Sequence, residues 1–532
     1  MGASQTIVGM FADVCQKYGN NPVFSALGHT ISYQELDRLS TGFAAYLQNR
    51  TSLSPGDRVA VQLPNLLQYP VVVLGILKAG MVLVNTNPLY TERELAHQLE
   101  DSGAKALIVL ENFAHTAAKV LTQTHIKYVF TSQVGDLHAG IKRYLLNFAV
   151  KYLKRAVPDF DIAGRIDLLS AINQGAQYSL ESPVLDPQAV AVLQYTGGTT
   201  GIAKGAMLSH ANLTANMAQS CRHLPDVYRE QSEVIAAPLP LYHVYAFTMH
   251  MLCAPYTGNH CVLIPNPRDT DSIVKVFKQY RITCFIGLNT LYNSLLHNEA
   301  FTQLDFSTLR NCSAGGMALT SDTARRWWEL TGCAILEGYG LTEASPVVSS
   351  NQNGQIRAGT IGRPLPDTQV KVVDEEGNEM PSGEAGELWV KGPQVMLGYW
   401  QRPEETAKVL TQDGWLKTGD IAQIDKDGFI SIVDRKKDMI SVSGFKVFPN
   451  EVEEVASTHP DIKECAAIGV PDEESGEIVK LVVVRSNPNL TEAEVRAFCR
   501  ERLTAYKVPK VVEFISELPK SNVGKVLRRE LK

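Results

Sequence analysis

The stretch Tyr195-Thr196-Gly197-Gly198-Thr199-Thr200-Gly201-Ile202-Ala203-Lys204-Gly205 constrains this chain more than any other. Four glycines, three threonines and a lysine closely follow the apolar run Val190-Ala191-Val192-Leu193. Glycine lets a main chain approach a ligand without a side-chain clash, so backbone N–H groups, hydroxyls and one ammonium can gather around a polyphosphate. A flexible Gly/Thr linker is the alternative. The familiar phosphate loops fail on spacing. A Walker loop needs Gly-Lys-Ser/Thr five residues after its first glycine, and the residue five after Gly197 is Ile202. Gly524-Lys525 is followed by Val526, and Gly338-Tyr339-Gly340 meets Glu343 where a dinucleotide fingerprint needs its third glycine.

At 532 residues the chain exceeds one ordinary core, so two or more domains are expected. A net charge of −6 argues against a nucleic-acid partner, and an anionic ligand must be met by local basic or N–H-rich pockets. Nine cysteines without a C-x-x-C pair suggest reduced thiols and a cytoplasmic location. Met1 to Gln5 lacks the start of a signal peptide. The apolar run Val71 to Leu77 stops at Lys78, too short to cross a bilayer.

Helical and strand patterns alternate from Ile31 to Phe130 and again from about Asp186 to Asn351, which predicts two α/β units with mostly parallel sheets. From Thr360 to Ile432 short strands with Gly and Pro turns predict a small antiparallel barrel or distorted sheet. The charged run Asp434-Arg435-Lys436-Lys437-Asp438 reads as a boundary and hinge, and the last ninety-odd residues as a compact α+β unit. Ile141 to Arg155 is a basic amphipathic helix with Arg143, Asn147, Lys151 and Lys154 on one face. Such a helix suits an anionic membrane surface, or packs on its own domain.

Further stretches accompany the glycine loop: Pro240-Leu241-Tyr242-His243, Ser313-Ala314-Gly315-Gly316-Met317, Glu337-Gly338-Tyr339-Gly340-Leu341-Thr342-Glu343, Gly414 to Asp420, Asp434 to Asp438 with Ser443-Gly444-Phe445-Lys446, and Pro519 to Lys525. In this order they resemble the adenylate-forming superfamily of acyl-CoA synthetases, luciferases and peptide-synthetase adenylation domains. Asn65 to Pro70, Leu193-Gln194 and Val395 to Trp400 point within it to bacterial long-chain fatty acid:CoA ligases.

The resemblance implies a two-step reaction. A carboxylic acid and ATP give acyl-AMP and pyrophosphate, and coenzyme A then displaces AMP. It implies an N-terminal domain over 1–433, with subdomains about 1–180, 181–355 and 356–433, a hinge at 434–438, and a mobile C-terminal domain over 439–532. Thr196, Gly197, Gly198, Thr199, Thr200, Gly201 and Lys204 would hold the β- and γ-phosphates. Glu343, assisted by Thr199 and beside Thr342, would hold Mg2+. Gly315, Gly316, Glu337, Gly338, Tyr339 and Gly340 would line the adenine pocket, with Asp420 and Arg435 on the ribose. Lys525 would bridge the carboxylate and the α-phosphate. His243 would sit by the carboxylate and the thiol channel, with a core histidine as the alternative. Rotation about Lys437 would withdraw Lys525 and bring Ser443, Gly444 and Phe445 to the pantetheine arm. The expected partners are a fatty acid, ATP and CoA, with room for a homodimer and for peripheral contact with the inner membrane through 141–155. The competing readings are loading of a carrier protein, a medium-chain or aromatic acid as substrate, and a non-catalytic ATP-binding scaffold.

Overall fold

The structure is a computed structural model that describes residues 6–196, 203–472, 474–520 and 526–531. The expectations for Gly197, Gly198, Thr199, Thr200, Gly201 and Lys525 lie outside the described residues.

Local signals set the helices. Ser32 caps Tyr33–Arg50, its hydroxyl accepting from Glu35 N at 3.1 Å. Thr91 and Glu94 form a capping box on Glu92–Ser102, and Thr491 and Glu494 do the same for Glu492–Arg500. The apolar run after Pro70 becomes the helix Gln68–Lys78, buried along its whole length. Lys78 ends it with its ammonium on Asp37, Ser40 and Thr41, so the buried charge is paired and hydrogen-bonded. Among the described residues no helix is long and apolar enough to cross a membrane.

Two large sheets form the N-terminal domain. One has eight strands, and Ala106–Leu110 within it is buried on both faces, as a parallel strand covered by helices should be. The other has nine strands, with Val234–Ala237, His260–Leu263, Cys284–Gly287 and Asn311–Ala314 in its parallel middle. Each sheet crosses the expected division near residue 180. Val190–Thr196 pairs in parallel with Val82–Asn85 in the first sheet, and Pro22–Ala26 pairs with His260–Leu263 in the second. Sequence proximity did not decide membership: the strand pairing crosses the boundary in both sheets.

The third unit is a four-stranded antiparallel sheet of Gln369–Val373, Gly386–Lys391, Leu416–Ile424 and Ile430–Arg435. The C-terminal domain packs helices Pro449–Ser457 and Glu492–Arg500 on a five-stranded sheet whose long hairpin is Ile462–Asp472 with Gly476–Arg485. Arg528 ties this domain to the segment 434–438: its guanidinium bonds Glu453 at 2.8 Å and Asn450 at 2.8 Å, and lies 3.4 Å from Asp438.

The basic helix is present as Gly140–Phe148, continued by a π-helical turn Ala149–Leu153. Its orientation is the reverse of a helix docked by its apolar side. Asn147 accepts from Gly135 N at 2.7 Å, and Arg143 lies 3.7 Å from Asp136, so these two polar residues are turned inward while Lys151 and Lys154 stay exposed. Ile141, Tyr144, Leu145, Phe148, Tyr152 and Leu153 point outward, each between 52% and 75% exposed.

Candidate active site

The ends of several strands converge on one cavity of about 800 Å³. Thr196 and Lys204, which pair across the antiparallel strands Val190–Thr196 and Lys204–Ser209, line it. Lys204 Nζ stands 2.5 Å from Glu405 Oε2. Lys204 and Lys408 hydrogen-bond the Glu405 carboxylate and hold its pKa down to about 2.

Glu343 lies with Thr342 on a single 3-10 turn, and both line the cavity. The Tyr399 hydroxyl donates to Glu343 Oε1 at 2.7 Å. Tyr399 reaches this position because Gly398–Tyr399 pairs with the edge strand Lys204–Ser209. Burial, then the Glu343 charge, pushes the Tyr399 phenol above its ordinary pKa, which keeps it a donor. The second Glu343 oxygen has no hydrogen-bond partner among the described residues, leaving an oxygen ligand for a hard cation in the cavity wall. Among those residues no group of three or more His, Cys, Asp or Glu could hold a metal alone. The donor set therefore fits Mg2+ that brings phosphate oxygens with it.

Gly315 and Gly316 follow the strand Asn311–Ala314, Gly338, Tyr339 and Gly340 end the strand Ile335–Gly340, and all five line the same cavity. Gly316 has φ +79°, and a Cβ on Gly340 would lie 2.2 Å from Pro346 O, so neither place tolerates a side chain. Tyr339 donates its hydroxyl to Asp420 Oδ2 at 2.5 Å. Asp420 faces Arg435 across the strand pair Leu416–Ile424 and Ile430–Arg435, with Nε 3.4 Å from Oδ1. Glu337 sits one residue before this group and does not line the cavity; burial pushes its carboxyl up to about 7.

His243 also lines the cavity, with Nδ1 accepting from Tyr245 N at 3.4 Å. Its loop is pinned between the two sheets. Asn65 accepts from Leu241 N at 2.8 Å and donates to Leu239 O, Tyr69 donates to Leu241 O, and Gln194 donates to Tyr242 O at 2.9 Å. Each of these buried groups would cost about 1–3 kcal/mol if left unpaired, so the loop position is strongly determined. Lys436 and Lys437, just after the strand Ile430–Arg435, also line the cavity. Ser443, Gly444 and Phe445 do not: they form an exposed turn with Phe445 stacked on Tyr506 at 4.9 Å.

Sequence reasoning missed Tyr399, Glu405 and Arg528. Tyr399 lay within the Val395 to Trp400 segment, which signalled resemblance without a role. Strand pairing alone brings it to Glu343.

The family model for AMP-binding enzyme matches residues 11–400, and that for the AMP-binding enzyme C-terminal domain matches 451–525. The chain is 50% identical over 529 residues to a long-chain-fatty-acid--CoA ligase of Escherichia coli O6:H1, covering 99% of this chain and 94% of that one. It is 47% identical over 533 residues to the enzyme of the same description from Haemophilus influenzae, with the same coverage. Among solved structures, ATP-bound MatB from Rhodopseudomonas palustris superposes with a TM-score of 0.86 at 30% identity, covering 98% of each chain. The chain belongs to the AMP-binding enzyme family.

Proposed function

We propose that this protein is an ATP-dependent fatty acid:CoA ligase that prefers long chains, forming acyl-AMP and pyrophosphate and then acyl-CoA and AMP. The observation that carries the reading is the single cavity in which Lys204, Glu343, Tyr339, Asp420 and His243 meet. The relatives at 47–50% identity, described as long-chain-fatty-acid--CoA ligases, support the acid and the acceptor.

A carboxylate attacking an α-phosphate meets anionic repulsion, so the site must supply positive charge where negative charge grows. Lys204 and the 196–201 loop hold the β- and γ-phosphates; Lys204 exchanges Glu405 for phosphate when ATP enters. Glu343 and Thr199 would hold Mg2+, which would supply positive charge at the phosphate end of the cavity, and Tyr399 fixes the Glu343 carboxylate. Asp420 accepts from the ribose hydroxyls, Arg435 orients Asp420, and the glycines at 315–316 and 338–340 let adenine lie against the main chain. Lys525 bridges the acid and the α-phosphate. For the second step the chain turns about Lys437, and the Ser443–Phe445 turn replaces Lys525 at the cavity.

Domains follow the same reading: 1–433, the hinge 434–438 and 439–532. The protein works in the cytoplasm and touches the inner membrane through 141–155. Supporting this contact, six large apolar side chains face outward there and the segment carries five basic and no acidic residues. The test of the function is stoichiometric: pyrophosphate release must depend on the fatty acid, and acyl thioester must form with CoA. Thioester on a carrier protein alone would favour the loading reading, and no acid-dependent release would favour a scaffold.

A further inference from the structure

His97 and Asp101 stand one turn apart on the helix Glu92–Ser102 and hold the surroundings of Lys204 without lining the cavity themselves. The strand Lys204–Ser209 lies between Gly398–Tyr399 and Val190–Thr196 at the edge of the eight-stranded sheet. Asp101 grips both of its neighbours. Oδ2 accepts from the Tyr195 hydroxyl at 2.7 Å, and Oδ1 accepts at 2.6 Å from Nη2 of Arg402, just beyond Gly398–Tyr399.

The main chain on either side of Lys204 is held as well. His97 Nε2 donates to Ala203 O at 3.1 Å, and Trp400 N donates to Gly205 O at 2.8 Å. Tyr195 pairs with Gly205 across the strands, and a Cβ on that glycine would come within 3.1 Å of the Tyr195 ring. The last glycine of the motif therefore leaves room for Tyr195. Burial, then the Asp101 hydrogen bond and charge, pushes the Tyr195 phenol above its ordinary pKa, so it stays a donor. A largely buried carboxylate with two donors, one of them charged, makes short and strong hydrogen bonds.

Arg402 reaches the same place from the other side. It opens the helix Pro403–Val409, whose Glu405 bonds Lys204, and its own N–H bonds Tyr399 O, the residue whose hydroxyl holds Glu343. A shift of Arg402 therefore disturbs the partners of both Lys204 and Glu343. Gly316 and Tyr339 belong to the nine-stranded sheet and its loops, and Asp420 to the four-stranded one, away from this contact. We infer that Asp101, assisted by His97, is a positioning residue for the phosphate end: it clamps Tyr195 and Arg402 around Lys204 and sets how tightly the site binds the β- and γ-phosphates, leaving the adenosine end unaffected. This inference rests on the proposed placement of those phosphates at Lys204.

The test is calorimetric titration with Mg-ATP, Mg-pyrophosphate and AMP, without acid or CoA, of wild type, Asp101→Ala, Asp101→Asn and Arg402→Gln. Asp101→Ala should raise Kd for Mg-ATP and Mg-pyrophosphate roughly tenfold and leave Kd for AMP unchanged. Asp101→Asn keeps one acceptor and should recover part of the loss. Arg402→Gln alters the more exposed partner and should show the same split in weaker form, and it decides the matter if Asp101→Ala does not fold. An unchanged Kd for Mg-ATP in the folded variants, or an equal loss for AMP, overturns the assignment. Lys204→Gln with unaltered Kd for Mg-pyrophosphate overturns the phosphate placement itself, and this inference with it.

Discussion

Tyr399 donates its hydroxyl to Glu343 Oε1 at 2.7 Å while its ring lies 5.3 Å from Lys204 Nζ, so one side chain touches both the carboxylate and the cation of the phosphate end. Groups that orient a metal's ligand typically contribute 10- to 100-fold. Tyr399→Phe should lower kcat/KM for Mg-ATP by roughly 10- to 100-fold, with part of the loss recovered at high magnesium. A magnesium titration of acyl-AMP formation that matches wild type would show that the contact does not orient Glu343.

Removing one preorganised charge at the reacting centre should cost adenylation ~10²- to 10³-fold. Lys525→Ala is therefore expected to fail at acyl-AMP formation yet convert supplied acyl-AMP to acyl-CoA. Lys437→Pro fixes φ at the hinge and should do the opposite, harming thioester formation more than adenylation. Half-reaction rates measured on both variants check this, and equal losses in both steps would count against the rotation.

Burial raises the Glu337 carboxyl to about 7, so the folded protein prefers it neutral. The stabilising preference is complete below the unfolded-state value near 4.5 and is lost as pH rises toward 7. Glu337→Gln should thus be more stable than wild type above pH 7, by at most about 3–4 kcal/mol, with the gap closing below pH 4.5. Denaturation at pH 4.5, 6 and 8 reads the difference; a pH-independent gap would contradict the raised pKa.

The outward apolar face of Gly140–Phe148 should sink into anionic bilayers. Leu145→Ser/Phe148→Ser is expected to weaken sedimentation with phosphatidylglycerol vesicles at least about tenfold, leaving turnover of a water-soluble short acid unchanged. Binding that survives the double substitution would exclude this face as the contact. A concentration-dependent dimer lost in the variant would assign the face to a second copy instead.

Much of this was legible because the relevant physics is local. Alternating helical and strand patterns marked the α/β units, and the ordered motifs marked Gly316 and Gly340 as cavity residues, where the structure has a positive φ and a close approach. What escaped depends on pairing. Tyr399 meets Glu343 only through strand register, which spacing along one strand does not report. A helical wheel likewise separated Asn147 from Leu145 without saying which side faces inward. The buried Asp136 and the Gly135 N–H decided that. Arg528 carried no signal of its own, because Glu453, Asn450 and Asp438 gather around it only in the fold.

The central claim is that the cavity activates a long-chain carboxylic acid for transfer to CoA. Acids from acetate to oleate, each assayed for AMP formation with CoA present, test it most directly. The account predicts kcat/KM rising with chain length into the long-chain range and AMP matched one-to-one by acyl-CoA. A maximum at acetate or at an aromatic acid, or AMP formed without thioester, would contradict it.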